Sequence, residues 1–407
     1  MSVSIRTLQQ VDRRLGPLAH GILQPLRLVR RRPPEAVRRL LIVKFWGLGS
    51  LTLLGPAVRV LRRRFPDAEI DLLTLESNTT YARRLGAFDN ILCLSLGLGW
   101  SGTIVGIGRM LRAVRRRRYD RLYDFEFLTH FSALIARLSR ARWIVGYSAP
   151  EVWRGGFFDE TVAFNRYWHV ARNARSLAGG ENGRDVALDE MIRPTTTVAG
   201  REEAARALAD GPVASGRPIV VVNPNAGQLA LERRWPRERF VTLVNGLLGS
   251  SDAAARLGIA PGDLRVVLIG APDEREYVES IRLATLRPDA VDDMAGRLSI
   301  DGLLALLDRS ALLVSNDSGP LHLAAALGRP VVAMFGPETP VMYAPLSPRA
   351  AVLYRPPACS PCINVHDNKM ATCHLGHPLC LEGIDPAEVL TAAAAVVRSA
   401  APVAEAR

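Results

Sequence analysis

Short apolar runs alternate with amphipathic stretches along most of the chain. The run Leu-Leu-Ile-Val at 40–43 is followed by two glycines and then by apolar positions at helical spacing over 51–64. Similar runs lie at 69–75, 91–96 and 121–125, and a second series begins with Ile-Val-Val-Val at 219–222. Short continuous apolar runs separated by helices are typical of parallel βαβ units whose sheet is covered on both faces.

The two series predict two doubly wound α/β domains, as the length of 407 residues also suggests. We assign the first domain to 39–195 and the second to 217–400. The segment 196–216 between them is rich in Ala, Gly and charge and is interpreted as an interdomain helix and linker. Because doubly wound sheets bind ligands at the carboxyl ends of their strands, we expect the two domains to face a central cleft.

A basic arm, residues 1–38, precedes the first predicted strand. Its apolar side chains recur at helical spacing and predict an amphipathic helix, which Gly16-Pro17 would kink or split. The arm lacks the apolar segment and cleavage site of a secretory signal. The uncharged run 90–108 is broken by glycines, so it predicts a strand, a loop and a helix start rather than a membrane span. We expect a soluble cytoplasmic protein, with peripheral contact to an anionic membrane as a further hypothesis.

Composition narrows the range of partners. Hydrophobic residues make up 48% and charged residues 23%, which is globular composition and excludes wholesale disorder. Lys and Arg number 52 against 40 Asp and Glu, and the net charge of +12 favours an anionic partner such as nucleic acid, anionic lipid or a phosphorylated substrate. Aromatic residues are only 6% and the arginines are scattered over predicted helix surfaces, so we do not expect a nucleic-acid-binding protein.

The most informative motif, Ser-Asn-Asp-Ser-Gly-Pro-Leu-His at 315–322, follows a predicted strand and opens a helix. Ser318 or Asp317 suits the N-cap, and Pro320 suits the first turn. Backbone amides at a helix start bind anions. The motif therefore predicts a diphosphate site with Asp317 turned towards a sugar hydroxyl. A well-capped helix without a ligand is the alternative interpretation.

Polar side chains also follow two other predicted strands. Asn225 comes after the run 219–222, and Arg233 and Arg234 follow it. Guanidinium groups bind phosphate oxygens in bidentate fashion, although a solvated loop explains the same residues. Glu274 follows a strand at 265–269 and could accept hydrogen bonds from ribose hydroxyls, or it could simply favour a helix N-terminus.

Two common nucleotide-binding classes do not fit. The segment Gly47-Leu48-Gly49-Ser50 lacks the third glycine of a dinucleotide fingerprint, because Thr52 stands there. The sequence contains no P-loop motif either. We therefore exclude a dehydrogenase and a P-loop enzyme.

Together these segments resemble glycosyltransferase family 9, the ADP-heptose:lipopolysaccharide heptosyltransferases. The resemblance extends from about Leu40 to Leu390 and rests above all on 316–337, which reads Asn-Asp-Ser-Gly-Pro-Leu-His at its start and Phe-Gly-Pro at its end. The family implies a GT-B fold, with the acceptor in the first Rossmann-like domain and the nucleotide sugar in the second. It implies inverting, metal-independent transfer of a heptose-like sugar from an ADP-sugar to a lipopolysaccharide core or similar lipid-linked glycan, at the inner face of the inner membrane.

The resemblance also implies roles for the donor-site residues. Ser318 and Gly319 would hold phosphate and Asp317 the heptose. Arg233, where the family usually has lysine, would bind phosphate, and Glu274 would bind the ribose. Asn225 and His322 belong to the same predicted donor site.

One position departs from the family pattern. The family typically has Gly-Asp where this chain has Gly49-Ser50, and that Asp is taken as the general base. A serine hydroxyl is a poor base at neutral pH. In a strand, Asp124 and Glu126 point to the same face, and two adjacent carboxylates repel when both are ionised, which favours the protonated form of one. We hypothesise that Glu126, helped by Asp124, deprotonates the acceptor; a solvated or Arg-paired Glu126 is the alternative.

Four cysteines cluster in the segment 359–380, namely Cys359, Cys362, Cys373 and Cys380. Their spacing predicts a structural zinc site or, less readily, an iron–sulfur cluster, with disulfides and free thiols as alternatives. We expect no cofactor for catalysis itself.

Two rival functions stay open at this point. A nucleotide-sugar epimerase on a related fold would convert the donor without an acceptor. A non-catalytic scaffold that kept a nucleotide site is compatible with Ser50 in place of the acid.

Overall fold

The computed structural model describes residues 5–25, 31–96, 99–127, 129–149, 152–180, 190–211, 216–227, 230–249, 264–363 and 372–398. This part of the chain is α/β, with two six-stranded parallel sheets. It divides into two compact units, the first extending to Ile192 and the second beginning at Arg193. The fold confirms the predicted doubly wound α/β class.

The sheet of the first unit has the order β3-β2-β1-β4-β5-β6. Its strands are β1 (Arg39–Val43), β2 (Glu69–Leu75), β3 (Asn90–Leu94), β4 (Arg121–Asp124), β5 (Trp143–Ser148) and β6 (Glu160–Ala163). Its helices are α1 (Ile5–Ile22), α2 (Leu48–Thr52), α3 (Gly55–Arg64), α4 (Thr79–Leu85), α5 (Gly99–Arg117), α6 (His130–Leu138) and α7 (Val170–Leu177).

The sheet of the second unit repeats this topology in the order β12-β11-β10-β7-β8-β9. Its strands are β7 (Ile219–Asn223), β8 (Arg265–Leu268), β9 (Val291–Asp293), β10 (Leu312–Asn316), β11 (Val331–Phe335) and β12 (Ala350–Tyr354). Its helices are α8 (Val198–Ala209), α9 (Arg237–Gly249), α10 (Arg275–Ala284), α11 (Ile300–Arg309), α12 (Gly319–Ala326), α13 (Pro340–Tyr343), α14 (Leu379–Glu382) and α15 (Pro386–Arg398).

Each sheet reverses its strand order at one place. In the first unit β1 pairs with both β2 and β4, and in the second β7 pairs with both β8 and β10. The residues of β7 and β10 are all buried, as expected for central parallel strands covered on both faces. Loops diverge at such a reversal and leave a crevice beyond the carboxyl ends of the strands.

The segment 196–216, predicted as an interdomain helix and linker, contains α8. Thr197 caps this helix by accepting the N–H of Gly200 at 2.9 Å. Glu203 accepts hydrogen bonds from both the backbone and the hydroxyl of Ser299, the N-cap of α11. These contacts attach α8 to the second unit.

The basic arm forms α1, which continues through Pro17 rather than ending there. Gly16 is buried against His130, and the side chain of His130 occupies the space that a Cβ at Gly16 would need. The carboxylate of Asp12 accepts the backbone N–H groups of His130 (3.0 Å) and Phe131 (2.5 Å) at the start of α6. Asp12 thus caps α6 from another helix. None of the helices in the described ranges is long and apolar enough to cross a membrane.

His20 anchors the other end of α1. It is fully buried, its ring lies 4.9 Å from those of His130 and Phe157, and its Nε2 is 3.1 Å from the carbonyl of His130. Burial lowers the pKa of both His20 and His130 below 6.5, because the charged imidazolium is poorly solvated there.

We expect stability to fall as the pH is lowered from about 7.5 to about 5.5. The unfolded histidines take up protons near pH 6.5 while the folded ones resist, so the unfolded state is favoured below that pH. Urea unfolding followed by circular dichroism at the two pH values measures the effect. His20→Phe keeps an aromatic ring but cannot be protonated, so its pH dependence should be shallower; an unchanged dependence would contradict this role of His20.

Candidate active site

Three polar side chains meet where β7 and β10 end side by side. The Nδ2 of Asn223, the last residue of β7, donates to the hydroxyls of Ser315 (3.2 Å) and Ser318 (2.9 Å). These two hydroxyls are 2.8 Å apart. In the described structure the Ser318 hydroxyl, although at the N-cap position of α12, makes no capping hydrogen bond. The amides at the start of α12 can therefore serve an anion.

Arg233 lies across this helix start. Its Nη1 donates to the backbone carbonyl and to Oδ2 of Asp317, both at 3.1 Å, and its Nη2 donates to the carbonyl of Ala226. Asp317 is only 5% exposed, so the ion pair is largely withdrawn from water. The guanidinium is held in one orientation beside the first turn of α12.

Arg234 is held by a second set of partners. Its Nη2 donates to Asn225 Oδ1 (3.2 Å) and to Glu274 Oε1 (3.5 Å), and its guanidinium stacks 4.3 Å from the ring centre of Tyr277. The other oxygen of Glu274 accepts the N–H of Ala271 at 2.8 Å. Glu274 is 6% exposed. The contacts of its two carboxylate oxygens hold the side chain in one position.

Each of the two arginines has one N–H donor that is not hydrogen-bonded within the described part of the chain. The Nε atoms of Arg233 and Arg234 are buried and have no hydrogen-bond partner within the described part of the chain. Arginine N–H groups bind phosphate oxygens well. Together with the start of α12, the two arginines can bind an anion such as a diphosphate.

The buried Trp235 fixes the two arginines relative to the 315–322 motif. Its backbone N–H donates to Asn316 Oδ1 at 3.0 Å, and its indole N–H donates to the carbonyl of Ile384. The Nδ2 of Asn316 in turn donates to the carbonyl of Pro224. These hydrogen bonds connect the loops that follow β7 and β10.

Most residues predicted for the donor site lie in this one network. Asn225, Arg233, Glu274, Asp317 and Ser318 make the contacts described above, and Gly319 and His322 lie in the first half of α12. His322 is 5% exposed. Asn223 and Ser315 were not predicted as donor-site residues. Both are polar residues at the ends of otherwise apolar strands, which is the signal that could have identified them.

The corresponding place in the first unit holds a buried ion pair. Lys44 follows β1, and its Nζ lies 3.1 Å from Glu126 Oε2, with the two side chains 1% and 2% exposed. The other carboxylate oxygen of Glu126 accepts the backbone N–H groups of Phe45 and of Trp46 (3.0 Å). The ammonium of Lys44 also lies 4.5 Å from the ring centre of Phe127. Glu126 thus ties the turn after β1 to the end of β4.

Asp124 forms a separate ion pair. Its Oδ2 accepts from Arg154 Nη2 at 2.5 Å and from the Ser132 hydroxyl at 2.8 Å. Burial raises the pKa of Asp124, Arg154 opposes the shift, and the charge of Glu126 contributes least. Arg154 also donates to the carbonyls of Thr129 and Tyr147, so its position is fixed from three sides.

These surroundings differ from those expected for a general base. Glu126 was hypothesised to share a repulsive site with Asp124, but each carboxylate has its own buried cation. A hydrogen bond joins the two residues, since the backbone N–H of Glu126 donates to Asp124 Oδ1 at 3.0 Å. Ser50 lies in the short helix α2 and is partly exposed.

We expect Glu126→Gln to lower the free energy of unfolding by about 3–5 kcal/mol, because it leaves the buried ammonium of Lys44 without a counter-charge. The double variant Lys44→Met/Glu126→Gln should recover most of this loss, since no unpaired charge remains. Urea unfolding of both variants measures the difference. Wild-type stability in the single variant would mean that water reaches Lys44.

The predicted zinc site remains a prediction. The five cysteines, all within the described ranges, form no disulfide. No three Cys, His, Asp or Glu side chains among the described residues are arranged to hold a metal ion. Burial, followed by the neighbouring Cys373 and Cys359, raises the pKa of Cys362. Burial likewise raises the pKa of Cys380 to about 11.

Two doubly wound sheets, each with a polar site where its strand order reverses, define the GT-B class of glycosyltransferase folds. A sequence model of glycosyltransferase family 9 (heptosyltransferase) matches residues 107–372. The chain belongs to this family and is a glycosyltransferase.

Curated relatives and solved structures agree with this assignment. The chain is 25% identical over 322 residues to lipopolysaccharide heptosyltransferase 2 of Salmonella typhimurium, covering 77% of this chain and 87% of the relative. It is 26% identical over 323 residues to the Escherichia coli K12 enzyme of the same name, with the same coverage of both chains. The fold resembles that of E. coli ADP-heptose lps heptosyltransferase II, with a TM-score of 0.68 and 21% identity over 89% of this chain and 99% of the other. A family 9 glycosyltransferase from Veillonella parvula gives a TM-score of 0.70, with 20% identity over 91% and 99%.

Proposed function

We propose that the protein transfers a heptose-like sugar from an ADP-sugar to the core of lipopolysaccharide or a similar lipid-linked glycan. The names of its relatives support the sugar and the acceptor class. One observation carries the donor assignment. Two arginines, held in fixed orientations by Asp317 and by Asn225 and Glu274, lie in the same network as the start of α12.

In this proposal the second unit binds the donor. The amides at the start of α12 and the guanidinium of Arg233 bind the diphosphate, and Asp317 accepts a hydroxyl of the sugar. Glu274 accepts a ribose hydroxyl while it holds Arg234 in place. Each acid neutralises one arginine in the free protein, so the incoming diphosphate gains hydrogen bonds to groups that are already oriented.

The proposed transfer inverts the sugar. The acceptor oxygen bonds to the anomeric carbon from the face opposite the diphosphate, while the bond from that carbon to the phosphate oxygen breaks and the acceptor proton passes to a base. Negative charge develops on the leaving ADP, where fixed amides and guanidinium N–H groups stabilise it. These groups supply the stabilisation that a metal ion gives in other transferases, so the proposal needs no catalytic metal.

The burial of Glu126 changes its proposed role. To remove a proton, Glu126 would have to leave Lys44 and two backbone amides, because its side chain is 2% exposed. We therefore propose that Glu126, together with Asp124, positions the ends of β1 and β4. The partly exposed Ser50 then occupies the position of the family base, and the natural enzyme is slow because a hydroxyl is a weak base.

The proposed location is the cytoplasmic side of the membrane, with peripheral contact through the first unit.

An epimerase would change the donor in the absence of acceptor, so incubation with donor alone followed by mass spectrometry separates it from a transferase. A scaffold would bind ADP without turnover in the presence of a lipid extract.

We expect calorimetry to detect binding of ADP and ADP-heptose at or below millimolar concentration. Arg234→Ala should weaken ADP binding by about tenfold or more, because it removes charge-assisted hydrogen bonds worth about 1.5–3 kcal/mol. Arg239→Ala is the matched control, since Arg239 also pairs with an acid, Asp385, but lies outside the strand-end network. Absence of ADP binding by the natural chain would refute the proposed donor site.

We expect Ser50→Asp to raise kcat by about 10²-fold, the lower end of what a general base contributes, with unchanged ADP affinity. Ser50→Asn is the control, because it has the same size without a basic carboxylate. Steady-state kinetics with a lipid-linked acceptor measures the effect. The base is Glu126 instead if two results are found together. Ser50→Asp gives no increase in kcat, and Glu126→Gln lowers kcat by more than the loss of folded protein accounts for.

A further inference from the structure

A cavity of about 230 Å³ in the first unit has no role in the proposed transfer. It lies between α1 and α5, and its apolar lining includes Val11, Leu15, Ala19, Trp100, Ile104 and Ile107. Its polar lining side chains bond elsewhere: Asp12 to the start of α6, and Thr103 to the carbonyl of Gly99 at 3.0 Å. Apolar cavities of about 150 Å³ stay dry and bind small hydrocarbons. This cavity is therefore suited to an apolar ligand.

Exposed apolar side chains surround the cavity. On α1, Leu15, Leu18 and Ile22 are 55%, 64% and 78% exposed, and their spacing places them on one helix face. On α5, Trp100, Ile104 and Val105 are exposed by 47%, 66% and 50%. Leu15, Trp100 and Ile104 belong both to this surface and to the cavity wall. A contiguous apolar surface of this kind marks an interaction site.

The charges beside this surface favour one class of partner. Beyond Val105, the same face of α5 carries the exposed Arg109, Arg112 and Arg116, and α5 contains no acidic residue. On α1 the exposed Arg14 lies one turn before Leu18, and the single acid of the helix, Asp12, is engaged by α6. An apolar face flanked by arginines fits an anionic lipid surface.

We propose that the α1–α5 face docks on an anionic membrane leaflet and that the cavity takes up an acyl chain of a membrane lipid. The exposed apolar side chains enter the acyl region, and the arginines contact the phosphate head groups. This inference rests on the proposed lipid-linked acceptor, since it brings the acceptor-side unit to the membrane. Lipid binding can nevertheless be measured without donor or turnover.

Vesicle flotation tests the docking. The full chain should float with phosphatidylglycerol vesicles, and Leu18→Asp should reduce the membrane-bound to free ratio by about tenfold, because a leucine side chain no longer leaves water. Leu286→Asp is the matched control. Leu286 is an exposed leucine of the second unit, at 84%, and the same substitution there should leave flotation unchanged.

Tryptophan quenching tests the cavity. Vesicles whose acyl chains carry bromine should quench the emission of the full chain, and Trp46→Phe should remove part of that quenching while flotation persists, because Trp46 lines the cavity and is not among the exposed side chains of the docking surface. Flotation without quenching would mean that only head groups are bound and would overturn the acyl-chain proposal.

Two further outcomes are separable. A concentration-dependent dimer in sedimentation, abolished by Leu18→Asp, together with absence of flotation, would assign the face to a second copy of the chain. ADP calorimetry on the natural chain tests the donor site independently, so failure of lipid binding and failure of the proposed transfer are distinguishable.

Discussion

The burial of the central parallel strands on both faces constrains where this chain can place its chemistry. Within β7 and β10 every side chain is buried, and the interior positions are almost entirely aliphatic. In these two strands the polar side chains lie at the carboxyl ends. The repeated strand order brings two such ends together in each unit, β1 with β4 and β7 with β10, and each pair carries a network of buried polar side chains.

The two networks differ in whether their charged side chains have hydrogen-bond donors left unpaired in the described structure. In the second unit the arginines bond to Asp317 and Glu274 but keep N–H groups that the described chain does not satisfy. In the first unit Lys44–Glu126 and Arg154–Asp124 are closed pairs that lie almost wholly out of contact with water. Buried pairs of this kind contribute little net stability, but losing one partner is costly. The two buried ion pairs therefore hold the loops in a defined arrangement. They are poorly placed to exchange protons rapidly with a substrate.

Features that depend on neighbouring residues in the sequence were predicted, whereas features that depend on contacts between distant residues were not. Apolar runs such as 40–43 and 219–222 predicted the strands, and the 315–322 motif predicted the helix start, because these signals are local. The partner of Glu126 was not predictable, since Lys44 lies 82 residues away and nothing near either residue specifies the pairing. Arg154 has no recognisable motif at all. For α1, the pattern indicated a helix interrupted at Pro17, whereas contacts with α6 hold it continuous.

The cap that Asp12 places on α6 has a consequence beyond the arm itself. The same helix start carries Ser132, whose hydroxyl bonds to Asp124, and Asp124 accepts the backbone N–H of Glu126. The arm is thus joined to the end of β4 through one helix turn and two hydrogen bonds. Loss of the packing of α1 would remove an acceptor from the helix that also carries Ser132. A chain begun at residue 39 would leave the first amides of α6 without their acceptor, and the arm is accordingly an integral part of the first unit.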